Sequence, residues 1–216
     1  MPARTVAPRK PNRESPAARR EALIAAALDL VAEGGLEAAT VRAIAGRAEV
    51  TQGLIRHYFE TKEQLLAAAF ARHMAGLTAG TLAGAEGAGS AADRLARFVA
   101  AGLRPPVANP RGVAIWAGFL PLVRRDAAMR RTHAETYAEF RDHLEGLIAA
   151  ALAEAGRPAP PERLRSLAIA ANAVIDGLWL EGSLLPESFA EDEPARLGLE
   201  AVAALTGLPL TEGPRP

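Results

Sequence analysis

Apolar positions recur at helical spacing along nearly the whole chain, and no stretch shows the alternation of a strand. Ile24, Ala27, Leu28 and Val31 form one stripe, which predicts a first helix from Ala18 to Glu33, stopped by Gly34-Gly35. Val41, Ile44, Ala45 and Ala48 form the stripe of a short second helix, with Thr40 before it as N-cap. The pattern breaks at Ala48-Glu49-Val50. Thr51 then caps a third short helix bearing Ile55 and Phe59, and Val50 with Ile55 is placed as a hydrophobic staple. The polar face of that helix holds Gln52, Gly53, Arg56 and His57. Thr61 with Gln64 reads as a capping box, so a fourth helix starts there, with Leu66, Phe70, His73 and Leu77 on one face and an end near Leu82.

A Gly/Ala/Ser stretch from Gly84 to Ser90 interrupts the pattern. Ser90 and Asp93 open helix five, whose stripe is Leu95, Phe98, Val99 and Leu103, and Pro105-Pro106 closes it. Asn109-Pro110 opens helix six, which contains Trp116 and Phe119 and is expected to be interrupted at Pro121. A long seventh helix from Asp126 to Ala155 has Tyr137, Phe140, Leu144, Ile148 and Ala151 inside. Helix eight, from Pro161 to Gly182, and helix nine, from Pro194 to Gly207, complete the chain. The reading is an all-α fold of about nine helices. A three-helix unit over residues 18–66 precedes a larger helical domain over 67–210, with the boundary inside helix four. Residues 1–17 set four prolines among basic residues and are expected to be a disordered arm. It could lie along DNA in the minor groove, or be a solvated tail.

Composition narrows the function. The formal net charge is zero, but residues 1–20 hold six basic side chains against Glu14 alone, which suits local contact with phosphates. There is no cysteine, so disulfides, thiol catalysis and thiolate metal sites are excluded. No uninterrupted apolar run reaches the roughly 18 residues that span a membrane, and no apolar core follows the basic start, so the expected address is the cytoplasm. The four histidines, His57, His73, His133 and His143, stand in no metal-binding spacing. No phosphate loop, nucleophile elbow or dinucleotide fingerprint occurs. No cofactor and no metal are expected. An enzyme reading would also leave unexplained the pair of short helices over residues 40–58, the second of them polar outside.

Two short helices at a steep angle make either a helix-turn-helix or a plain helical corner, and spacing alone does not separate them. The segment from Ala18 to Leu66 resembles the DNA-binding domain of the tetracycline-repressor (TetR) family of bacterial regulators. The resemblance rests on Glu33-Gly34-Gly35, Ala39-Thr40, Ile44-Ala45, Ala48, Val50, and Tyr58-Phe59 followed by Lys62, Leu65 and Leu66. Two positions depart from it. Glu49 stands where the family usually has a turn glycine; if that position needs φ > 0, Glu49 is mildly strained there. Arg56 stands where most members have tyrosine. Ile175-Asp176-Gly177-Leu178-Trp179-Leu180 and Leu54-Ile55-Arg56-His57-Tyr58-Phe59 further resemble the branch that contains the choline-responsive repressors of betaine synthesis.

The expected partners are double-stranded operator DNA, a second copy of the chain and a small-molecule effector, with no membrane. Thr40, at a helix start, suits a phosphate. Arg42, Thr51, Gln52, Gly53, Arg56 and His57 are the candidates for the major groove, Arg42 for guanine and Gln52 for adenine. The resemblance adds Tyr58 and Lys62 as phosphate contacts. It also implies an effector pocket between helices four and seven, for which Trp116, Phe119, His133, Tyr137, Asn172 and Trp179 are the candidates. Two indoles and a tyrosine near Asp176 or Glu181 could box a quaternary ammonium. For Phe98, Phe119 and Phe140 the core reading has the edge, and for Asp176 that of a polar group at a dimer seam is preferred. A core filled around Trp116 and Tyr137 would instead point to a regulator without a ligand. Helices eight and nine are too apolar for a solvated surface and rich in small residues, among them Ala170, Ala173 and Gly177. Leu167, Ala171, Ile175, Leu178, Leu197, Val202 and Leu205 are therefore expected to meet their copies in a four-helix bundle across a two-fold axis.

Overall fold

The computed structural model describes residues 15–211, and these are helical nearly throughout. Residues 1–14 of the expected arm lie outside them; Ser15 caps the first helix, its hydroxyl accepting from the Ala18 amide at 3.1 Å. The helices are α1 (Pro16–Ala38), α2 (Val41–Arg47), α3 (Gln52–Tyr58), α4 (Lys62–Ala85), α5 (Ala91–Gly102), α6 (Pro110–Arg125), α7 (Ala127–Glu154), α8 (Pro161–Leu184) and α9 (Glu193–Thr206). A short 3₁₀ turn over Pro186–Ser188, not legible in the sequence, links α8 to α9.

Capping chemistry sets most of the boundaries. Thr40, Thr61, Ser90, Asn109 and Asp126 each accept a backbone N–H from the first turn of their helix. Ser90 and Asp93 close a reciprocal capping box, with 3.0 Å and 2.8 Å bonds. The box expected at Thr61 is shifted by one residue, because the Gln64 side chain accepts from the Glu60 amide at 2.9 Å. Thr51 sits at its cap position but makes no side-chain cap bond. The Gly34-Gly35 stop is a kink, with Gly35 at φ 70, after which one more turn carries the chain to Ala38.

Helix α6 corrects the expectation of a break at Pro121 and runs unbroken through it. A proline costs a helix one backbone bond. Here it stands on the exposed side, and the next residues, Leu122 and Val123, pack onto apolar neighbours.

Two apolar cores result. The lower core joins Leu23, Ile24, Ala27 and Val31 of α1 to Ile44, Ile55, Phe59, Leu65 and Phe70. It also takes in Ile115 and Phe119 of α6 and Met129 of α7. The upper core joins α5, α7, α8 and α9 through Leu95, Phe98, Val99, Leu144, Ile148, Leu167, Ala171, Ile175 and Val202. Helix α4 and helix α6 reach both. Gly118 lets α6 close on α1, since a Cβ there would stand 2.7 Å from a Val31 methyl.

Among the described residues one helix, α8, is long and apolar enough to cross a membrane. In this fold its inner face is core, and its outer face leaves Ile169, Ala173 and Gly177 exposed.

Candidate DNA-reading surface and effector cavity

Helices α2 and α3 form a helix-turn-helix. The chain between them turns at Glu49, at φ 55, and the Val50 amide returns to the Ala45 carbonyl at 2.9 Å. Glu49, which stands where the resembled family has glycine, is thus left-handed, a conformation that a side chain tolerates less well than glycine. Ile55 and Phe59 are buried under α3 and fix its outer face. The Arg20 guanidinium lies 5.0 Å from the Phe59 ring centre. Arg47 holds α2 to α1 by a two-pronged bond to Glu33, at 2.8 and 2.6 Å, which keeps the Glu33 carboxyl below its usual range.

Thr40, Arg42, Thr51, Gln52, Gly53, Arg56 and His57 are all exposed, and Tyr58 and Lys62 half-buried. Arg56 points outward although the family's usual residue there faces inward. These residues occupy the start of α2, the outer side of α3 and the start of α4. Three helix starts thus open on one unit, and each presents unpaired N–H groups that suit phosphates.

The second site is a partly open cavity of about 50 Å³ between α4, α6, α7 and α8. Trp116, Tyr137, Phe140, Asn172 and Trp179 line it. The two indoles meet edge to face at 6.0 Å, and the Trp179 N–H donates to the Val107 carbonyl at 3.2 Å. Asp176, read from the sequence as a polar group at a dimer seam, also lines this cavity. The Asn172 amide donates to its carboxylate at 2.8 Å. Burial raises the Asp176 carboxyl to about 6, against the weaker opposing effects of Asn172 and Arg141. Burial, with the Asp176 charge, pushes the Tyr137 hydroxyl up to about 12. At neutral pH the cavity therefore holds one carboxylate among four aromatic side chains.

Two expected members are elsewhere. Phe119 is fully buried in the lower core, 5.2 Å from Phe70, because its position on α6 faces α1 and α4. His133 lies outside the lining, its ring between Phe70 at 5.8 Å and Tyr137 at 4.4 Å. Burial lowers its pKa. Glu181 is exposed. Phe140 lines the cavity while packing on Phe98 at 5.2 Å. The sequence reading missed Met74, Leu77, Thr78 and Thr81, which line the cavity from α4. Their spacing of three, four and seven was legible, but Thr78 and Thr81 read as polar.

The expected bundle residues are also redistributed. Leu167, Ala171, Ile175 and Val202 are buried in the chain's own core and have almost no surface for a second copy. Leu178, Leu197 and Leu205 are half-buried. The outer face of α8 and α9 is made instead by Ile169, Ala173, Gly177, Leu184, Leu197 and Ala204.

Comparison with known proteins agrees with both halves. Residues 23–69 match the family "Bacterial regulatory proteins, tetR family". Residues 91–207 match "BetI-type transcriptional repressor, C-terminal". The HTH-type transcriptional regulator BetI of Rhizobium meliloti is 31% identical over 189 residues, covering 87% of this chain and 85% of that protein. A transcriptional regulator from Pseudomonas aeruginosa PAO1 superimposes with a TM-score of 0.82 at 28% identity, over 90% of this chain and 93% of its own. A regulator from Saccharomonospora viridis, solved in complex with choline, shares the fold with a TM-score of 0.70 at 18% identity, over 85% of this chain and 95% of its own.

A helix-turn-helix head on an all-helical body with an aromatic-lined cavity defines a DNA-binding transcription regulator of the TetR class. More particularly, the chain belongs to the TetR family and is a transcriptional repressor with a BetI-type C-terminal domain.

Proposed function

We propose that the chain works in the cytoplasm as a homodimer that holds a two-fold operator and releases it when a small organic cation enters the body. Thr40, Tyr58 and Lys62 grip phosphates, while Arg42, Thr51, Gln52, Gly53, Arg56 and His57 read the major groove. Residues 18–66 form the reading unit, and residues 67–210 hold effector and partner. The dimer joins through the outer face of α8 and α9. A two-fold protein places two reading helices in successive major grooves about 34 Å apart, so a small change of separation weakens both contacts.

The observation that carries the effector class is Asp176 facing Trp116, Tyr137 and Trp179 in one cavity. A quaternary ammonium gains from each aromatic face and from the carboxylate, and needs no hydrogen-bond donor. The choline-bound regulator from Saccharomonospora viridis shows only that this fold admits such a ligand; the preference here rests on the four side chains. The cavity is about 50 Å³, well below the roughly 150 Å³ that admits benzene, so entry requires the lining to move apart. Helix α6 is placed to pass that motion on, since Trp116 lines the cavity while Ile115 and Phe119 are in the lower core.

Titrating the purified protein with choline or tetramethylammonium, read by tryptophan fluorescence and operator release, tests this. Saturable quenching with loss of the DNA complex is expected, and its absence in Trp179→Ala. So small a volume is also what a regulator with no ligand would have, and flat titrations with both cations would favour that reading.

A further inference from the structure

Trp116 lines the cavity, and its Nε1 is buried and makes no hydrogen bond among the described residues. Four buried side-chain polar atoms are unpaired in this way, and the other three, on Arg97, His133 and Ser183, belong to residues outside the cavity lining. An indole N–H can only donate. Leaving such a donor buried and unpaired costs stability, and native proteins rarely do so. Other donors of the same cavity are committed. The Trp179 N–H donates to the Val107 carbonyl at 3.2 Å, the Asn172 amide to the Asp176 carboxylate at 2.8 Å, and the Thr81 hydroxyl to the Leu77 carbonyl at 2.9 Å.

The free donor belongs to the polar cluster of the cavity. It is close enough to the Tyr137 hydroxyl to oppose the rise that burial and the Asp176 charge give its pKa, yet outside hydrogen-bonding geometry. Indole N–H, phenol and carboxylate therefore neighbour one another on residues that all line the same space. The two indoles stand at 87° to each other and differ in this respect: one has its N–H tied to the backbone and offers only its ring, while the other offers ring and donor.

We propose that Trp116 is a specificity-determining residue whose Nε1–H takes an oxygen acceptor of the effector, so that the effector is a quaternary ammonium compound that also carries an oxygen. This rests on the cavity being the cation site of the proposed function. A bare tetraalkylammonium ion has no lone pair, and its positive charge is turned toward the donor, so it leaves the N–H unpaired. One molecule with a cationic head and an oxygen meets both demands, the head against Asp176 and the aromatic rings and the oxygen on Trp116. A site built to hydrogen-bond a ligand atom discriminates against the analogue that lacks it, because its own buried group is then left without a partner.

Calorimetric titration of the full-length protein tests this by comparing choline with propyltrimethylammonium, the isostere in which a methyl group replaces the hydroxyl. Choline should bind about fivefold more tightly, the net effect of one hydrogen bond. Trp116→Phe removes the N–H and part of the ring. The loss of ring weakens both cations, but only the N–H tells them apart, so the preference should disappear. Trp179→Phe, whose N–H serves the backbone, should weaken both cations and keep the preference. The chain has two tryptophans, so an isotope-labelled wild type gives two indole N–H resonances. That of Trp116 should move downfield with choline and not with the isostere, a readout that holds even if a thermal melt shows Trp116→Phe to be unfolded. Equal affinities for the two cations in the wild type, or a preference that Trp116→Phe keeps, overturns the proposal and leaves the cation site standing. Binding of neither cation overturns the cation site and the proposal with it.

Discussion

In the proposed function, Asp176 serves binding at the expense of stability. It sits in the apolar sequence Ala173-Val174-Ile175-Asp176-Gly177-Leu178, and sequence alone does not say whether it meets a second chain or a cavity. The rotation of α8 against α7 decides it, and that is a tertiary fact. Its carboxyl, near 3.8 when unfolded, titrates at about 6 in the fold, so the folded chain holds the proton more tightly. This penalty is absent below about pH 4, grows between 4 and 6, and is full at neutral pH. Asp176→Asn should therefore raise stability at pH 7 by on the order of 2 kcal/mol, and by nothing near pH 4, in thermal melts at the two pH values. The same substitution should abolish binding of choline or tetramethylammonium. In the wild type, affinity for these cations should fall about tenfold per pH unit below 6. On the head, Arg42→Ala should cost about 1–3 kcal/mol on the operator and relax one base position, whereas Lys62→Ala should weaken all duplexes alike. Equal losses on operator and random DNA for Arg42→Ala would contradict its base-reading role. The place of the turn, at Ala48-Glu49-Val50, was legible, while the φ of 55 at Glu49 needed the structure.

Helix boundaries were legible because caps are local chemistry. Ser90, Asn109 and Asp126 each sit one residue before a helix, and their side chains bind the first turn as the spacing requires. The continuation of α6 through Pro121 was not legible, because its compensation comes from Leu122 and Val123 meeting residues far away in sequence. The partition of aromatics was hidden for the same reason. Trp116 and Phe119 are three apart on α6, yet one faces the cavity and the other the lower core. This double allegiance makes α6 the natural transmission element. His73 ties it to α4, its Nε2 donating to the Gly112 carbonyl at 3.1 Å, and burial holds the ring near pKa 4 and neutral. Gly118 sets how closely α6 approaches α1. Gly118→Leu should lower stability by about 1–3 kcal/mol by overpacking against Val31. It should also weaken cation-driven release of DNA more than cation binding. Wild-type coupling in that variant, measured by operator release at saturating cation, would remove α6 from the transmission route.

At the scale of the molecule, the all-helical architecture and the two working regions were legible, because both the reading helices and the apolar α8 announce themselves in sequence. The face proposed for pairing was not, since an apolar helix buried on one side and exposed on the other has one composition for both. The exposed face centres on Ala173 and Gly177, and a Cβ at Gly177 would meet no atom of its own chain. Gly177→Arg should therefore leave the subunit folded, give a monomer in sedimentation, and weaken operator binding far more than random binding. The account as a whole depends on a sequence-specific dimer whose hold on DNA answers to a cation. Selection of bound duplexes from random DNA, run with and without choline, tests this most directly. An enriched two-fold motif that disappears with choline is the predicted result. No enrichment from folded protein, or a motif equally enriched at saturating choline, would contradict it.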